Sequence, residues 1–154
     1  MKSLLTPADA APGLTEAENF IKAALDGLTA HIAILDEAGA IIHVNKAWRR
    51  FADDNRFDDP QYGLGVNYLA VCDRAATPDA RAVAAGIRQV MQSDVEEFYL
   101  EYPCHSANER RWFVIRVTRF VWRDTFRLIV AHQNVTELKR AEIEARDSKR
   151  RLEA

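Results

Sequence analysis

The chain carries little cysteine: Cys72 and Cys104 are its two thiols in 154 residues. Two cysteines cannot build the disulfide framework of a small secreted domain. Thiols this sparse suit a reducing compartment, so a cytoplasmic location is expected. Long apolar runs are missing too. The N-terminal MKSLLTPADAAPG is too polar for a signal peptide or a membrane span, and no later stretch is apolar for long enough. Charge of one sign is not in excess. A net charge of -2 creates no field toward nucleic acid or anionic lipid. Arg110, Arg111, Arg116, Arg119 and Arg123 lie near aromatic residues, but their scatter argues against a single-strand nucleic-acid groove.

Catalytic signatures are also lacking. There is no G-x-S-x-G, no phosphate-cradling glycine loop and no carboxylate pair at an informative spacing. Asp53-Asp54 and Asp58-Asp59 read as a solvated helix end and loop. Cys104 and His105 are adjacent, yet no second pair stands at zinc-ligand spacing. The expectation is a domain without enzymatic activity and without a metal site.

What remains is an ordinary globular composition, 48% hydrophobic and 29% charged, long enough for one domain with its own core. Residues 1–13 read as a flexible lead-in. A T-E-A-E capping pattern at Thr15 and Glu18 opens a helix over 14–29, with Ile21, Ala24, Leu25 and Leu28 on one stripe. Residues 30–35 and 40–44 are β-rich and flank Asp36-Glu37-Ala38-Gly39, so they read as a hairpin. Asn45 caps the helix KAWRRFADDN. Residues 56–65 carry turn chemistry, and 66–72 are too short to classify. Thr77-Pro78 opens a further helix. Alternating runs at 95–103, 111–120 and 126–134 predict three strands. From Val135 the pattern is helical to Ala154, with Leu138, Ala141, Ala145, Ser148 and Leu152 on a weak heptad seam. The absence of a closing cap there leads to the expectation of a longer chain. Two strands, then helices, then three strands predict an α+β fold: one five-stranded antiparallel sheet with helices on one face.

Several segments in this order resemble the PAS family, over roughly residues 20–140. D-E-A-G-A-I-I-H-V-N-K-A-W (36–48) is similar to the family's hairpin and first helix. Gly65-Val66-Asn67-Tyr68-Leu69 is similar to the G-x-N-Y-L of bacterial sensory boxes. Glu101-Tyr102-Pro103-Cys104-His105 and Arg111-Trp112-Phe113 resemble that subfamily's next strands, and HQNVTELKRAE (132–142) its closing D-I-T motif. The resemblance implies a PAS core over 30–135, flanked by the cap helix and by a coiled-coil-type signalling helix over 136–154. It implies a sensory module that binds a small ligand and relays the signal through that last helix. The alternative is a dimerisation module without a ligand.

Its sheet side would supply the pocket: Phe98, Leu100, Tyr102, Phe113, Ile115, Val117 and Val130, with His132, Asn67 and Tyr68 as polar groups. His132 reads either as a ligand partner or as a core histidine bonded to a neighbour. Tyr68 reads either as a pocket group or as a packed aromatic, and Cys72 as a small buried hydrophobe. Asn134, Thr136 and Leu138 would carry the relay. Asn134 replaces the family's usual Asp, which removes an ion pair at the exit.

Flavin and haem are the cofactors the family suggests. Tyr68 stands where light-sensing members carry the adduct-forming cysteine, Phe113 where they carry an asparagine, and His132 where they carry a glutamine. A phenol cannot supply thiolate chemistry. Haem-binding members take a histidine from the helix after G-x-N, and residues 77–92 contain none. The implied partners are a second copy, through the cap helix, outer sheet face (Trp112, Val114, Ile129, Ala131) and last helix, and an effector such as a histidine kinase or cyclic-dinucleotide enzyme.

Overall fold

The computed structural model describes residues 7–154. Helix α1 (Pro7–Asp26) begins well before the capping pattern at Thr15. Pro7 suits a first helical position, and the alanine-rich stretch that follows favours helix. The expected lead-in is therefore helical over 7–13, and its residues 1–6 lie outside the described residues. The far end of α1 docks, where Leu25 is half-buried. Ile21, Ala24 and Leu28 of the predicted apolar stripe are exposed, as is Phe20 beside them, so most of that stripe lacks intramolecular cover among the described residues.

Strands β1 (His31–Leu35) and β2 (Ile41–Val44) form the expected hairpin. Asp36 fixes its turn, accepting the N–H groups of Ala38 and Ala40 at 2.9 Å each. Gly39 sits there at φ 91°, a backbone region that favours glycine. Helix α2 (Lys46–Asp54) follows its Asn45 cap. The unclassified stretch becomes a short helix, α3 (Tyr68–Ala75), started by Asn67, whose side chain accepts the Ala70 N–H. Helix α4 (Pro78–Met91) starts at its Thr77 cap. Strands β3 (Glu97–Pro103), β4 (Trp112–Trp122) and β5 (Thr125–Asn134) complete the sheet, and α5 (Thr136–Glu153) leaves it.

The sheet order is β2-β1-β5-β4-β3, antiparallel throughout. The inner face divides into two ends. At one end α4 lays Val83, Ala84, Ile87 and Val90 against Ile115, Val117, Leu128 and Val130, and all are buried. Burial of each large side chain there stabilises by about 1.5–3 kcal/mol. Gly86 lets the Phe98 ring press onto the helix, since a Cβ would meet that ring at 2.2 Å. The other end of the same face is roofed by α2, α3 and the loop over 56–66, and there the packing opens.

Candidate functional site

Asn45 anchors the open end. It is fully buried and bonds on both ends of its amide. Its oxygen accepts the N–H groups of Ile32 and Trp48 at 3.0 Å, and its nitrogen donates to the carbonyls of Leu25 (2.8 Å) and Ala30 (2.9 Å). One side chain thus joins α1, β1 and the start of α2. Trp48 is aimed from that first turn, and its indole N–H donates to the Tyr62 carbonyl at 3.0 Å.

Tyr62 belongs to the loop over 56–66, where it adopts φ 58°, uncommon for a residue other than glycine. Asp59 holds this loop, accepting the Gln61 and Gly63 N–H groups at 2.9 Å each. That contact corrects the reading of Asp59 as merely solvating. Backbone bonds between Ile41 and both Gly65 and Val66 pin the loop to β2.

Between this loop, α2 and the sheet lies a cavity of about 360 Å³, within the range of small-molecule sites. Trp48, Phe51 and Phe113 supply much of its aromatic wall, and Tyr68, Tyr102 and His132 its polar one. The imidazole is clamped. Its Nε2 lies 3.0 Å from the Tyr68 hydroxyl and its Nδ1 2.6 Å from the Tyr102 hydroxyl. Burial lowers the His132 pKa to about 4, with repulsion from His31 adding to it. Burial likewise pushes both phenols above their ordinary range. At neutral pH all three groups are uncharged.

Four of the ten expected pocket residues meet at this cavity: His132, Tyr68, Tyr102 and Phe113. Phe98, Leu100, Ile115, Val117 and Val130 lie instead on or against the core under α4. Asn67 caps α3 and donates to the Ala38 carbonyl at 2.9 Å, away from the cavity. Its polar groups are used by the backbone, which corrects its assignment to the lining. Cys72 is buried and its thiol pKa is raised by that burial. Among the lining residues not singled out beforehand are His31, Phe51, Tyr62 and Cys104. His31 was within reach of strand parity: it shares a face with Ala33 and Leu35 and pairs directly with His132.

The exit from β5 is bonded to β4. The Val135 N–H donates to the Trp112 carbonyl at 2.9 Å, and the Trp112 N–H to the buried Thr136 hydroxyl at 3.1 Å. Asn134 accepts the Thr136 N–H at 3.0 Å. No ion pair runs through Asn134. Lys139–Glu101 at 2.7 Å and Arg140–Glu109 at 3.7 Å hold the first turns of α5 near the sheet instead. Leu138 is exposed.

The whole architecture matches solved PAS domains. It covers 89% of this chain and 98% of the PAS domain of Bordetella pertussis BvgS, with a TM-score of 0.55 at 15% identity. A PAS domain of an HTR-like protein from Haloarcula marismortui matches 81% of this chain and 97% of its own, with a TM-score of 0.52 at 18% identity. This chain has the PAS fold. A sensory box sensor histidine kinase structure from Vibrio cholerae agrees, with 82% and 98% covered and a TM-score of 0.51 at 13% identity. No family model matches the sequence. An uncharacterised 104.1 kDa protein of Rhodobacter capsulatus is 40% identical over 111 residues, 66% of this chain. The chain spans 11% of that relative's length. Within the PAS frame, the aromatic clamp sits on α3, β3 and β5, and the last of these runs directly into α5. Among the described residues no helix is long and apolar enough to cross a membrane, and no cluster of three potential metal ligands occurs.

Proposed function

We propose that this PAS domain is a sensory module of a signal-transduction protein, which binds a small molecule in the aromatic cavity and relays occupancy through α5. The cavity carries the proposal: it is lined mostly by apolar rings, with a few convergent polar groups and a histidine of strongly perturbed pKa. The relay is supported by chain connectivity. His132 is four residues from Thr136, and both ends of that segment are bonded to neighbouring elements. A ligand that moved the clamp would act on β5 at the root of α5.

Residue chemistry favours a small metabolite over the family's chromophores. Tyr68 is committed to His132 and has no thiol to form an adduct. A cytoplasmic setting, and an effector such as a histidine kinase or cyclic-dinucleotide enzyme, complete the proposal.

Native mass spectrometry of the purified protein, with a visible spectrum, tests it. A bound mass without colour is expected. Hydrogen exchange at residues 134–139 should slow or quicken on binding. Unchanged exchange with a filled cavity would remove the relay.

A second reading, a dimerisation module with no ligand, draws on one observation. Phe20 and Ile21 along α1, Leu28 just after it, and Leu138 and Leu152 on α5, are exposed apolar side chains in need of cover. Light scattering of the protein and of a Phe20→Asp variant distinguishes a dimer built through α1 from a monomer.

A further inference from the structure

A neutral imidazole has one N–H and one bare nitrogen. Both nitrogens of His132 face a tyrosine hydroxyl, so two proton arrangements fit. In the first, the Tyr68 O–H donates to Nε2 and Nδ1–H donates to the Tyr102 oxygen. The Tyr102 proton is then left over. In the second, the Tyr102 O–H donates to Nδ1 and Nε2–H donates to the Tyr68 oxygen, which frees the Tyr68 proton. The proton count is the same in both. Among the described residues neither hydroxyl has a side-chain partner other than His132. One half-buried hydroxyl is therefore always left to donate beside the cavity, and such a donor gains from an acceptor once a ligand shields it from water.

The surroundings set the charge of what can answer it. No lysine or arginine lines the cavity among the described residues; Arg111 lies against the Phe51 and Phe113 rings, and its guanidinium donates to the Cys104 carbonyl and to Asn55. The lining carboxylate, Asp59, accepts two backbone N–H groups and repels an anion. A charged ligand would exchange its hydration for a mostly apolar lining. Burial keeps His132 from supplying a counter-charge at neutral pH.

We propose that the cavity takes an uncharged, largely apolar molecule of single-ring size with one hydrogen-bond acceptor, and that this acceptor chooses which tyrosine donates to it and hence the tautomer of His132. The proposal rests on the ligand-binding reading above and deepens it. The signal at β5 is then a change of proton position at constant charge, with Tyr68 on α3 and Tyr102 on β3 as the two alternatives.

Three probes of similar size separate the possibilities: 4-phenyl-2-butanone (neutral, one acceptor), butylbenzene (no acceptor) and 4-phenylbutyrate (an anion). Calorimetry gives affinities, and nitrogen NMR of the imidazole gives the tautomer ratio. The ketone should bind about threefold to tenfold tighter than butylbenzene, the gain of one net hydrogen bond. It should also drive His132 to one tautomer, while butylbenzene leaves the ratio of the free protein. Phenylbutyrate should bind weakest. A double Tyr68→Phe, Tyr102→Phe variant should keep butylbenzene binding and lose the preference for the ketone, which guards against a misfolded control. Equal binding of ketone and hydrocarbon, or tightest binding of the anion, overturns the inference and leaves the pocket standing. Failure of all three to bind overturns both.

Discussion

The two ends of one sheet face have the same strands and the same side-chain parity but different interiors. Under α4 the face is solid: Ile115, Val117, Leu128 and Val130 have no exposure, and Ile87 and Val90 close over them. Under α2 the face carries Phe113 and His132, with Tyr102 beside them, and the space above stays open. The difference lies in the roof. α4 is fourteen residues long and brings a small-residue surface, Ala84 and Gly86, close to the strands. α2 and the loop over 56–66 instead bring the bulkier Trp48 and Tyr62, which are joined by the Trp48 indole N–H donating to the Tyr62 carbonyl, and Trp48 meets the sheet edge-on at His132. Rigid packing at one end and a braced gap at the other separate the bulk of the core from the proposed binding site.

The sharpest break of this comparison is a deletion at the solid end. Ile87→Ala removes a fully buried side chain from a tightly packed site, where the surroundings can relax little. A loss of about 2–5 kcal/mol is expected in urea denaturation, with the tyrosine–histidine clamp still detectable by NMR. A loss below about 1 kcal/mol would mean that the α4 end is not the rigid one.

The open end should instead reveal itself through pH. In the unfolded chain a histidine takes up its proton near 6.5, and in the folded protein His132 does so at about 4. Between those values the unfolded state holds more protons, so acid favours unfolding. The contribution of His132 is fully present above pH 6.5 and is lost as pH falls through about 4. A shift of this size corresponds to roughly 3 kcal/mol. His31 and His43 are lowered as well, again by burial first, and push in the same direction. Denaturation at pH 7 and at pH 4.5 should therefore give a smaller difference in a His132→Leu variant than in the natural chain. Equal differences would show that His132 does not titrate as its burial requires. The solid end contains no titratable pair of this kind, and Ile87→Ala should leave the pH slope unchanged.

How much of this contrast could be read beforehand follows from the range of each interaction. The alternation in 95–103, 111–120 and 126–134, and the caps at Asn45 and Thr77, are local signals, and those elements form where expected. The capping pattern at Thr15 lies inside α1 and not at its start, because such a pattern can also occur within a helix. α3 stayed unclassified because a run as short as 66–72 does not separate strand from helix by its period. The division of the inner face was not legible at all. Val130 and His132 have the same parity on one strand, yet one is covered by α4 and the other faces the cavity. Which helix crosses which end is decided by contacts far apart in sequence. His132 and Tyr68 could be picked out as polar residues in apolar surroundings, but their hydrogen bond spans 64 residues.

The smallest expected effect concerns the junction that joins the open end to α5. Thr136 is buried, and its hydroxyl accepts the Trp112 N–H, next to the cavity-lining Phe113. Thr136→Val keeps the shape and removes the acceptor, which leaves that N–H without its partner. The cost in global stability should be about 1 kcal/mol, within the range for one lost hydrogen bond. Local behaviour should change more. With Val135 still bonded to the Trp112 carbonyl, the strand stays paired, while amide exchange at Trp112 and over 136–139 should rise. Ligand affinity should stay within about twofold, because no pocket residue is touched. If the variant left exchange in α5 untouched, the ion pairs at Lys139 and Arg140 would be the true fastening of the helix, and the contrast between the two ends would stop at the sheet.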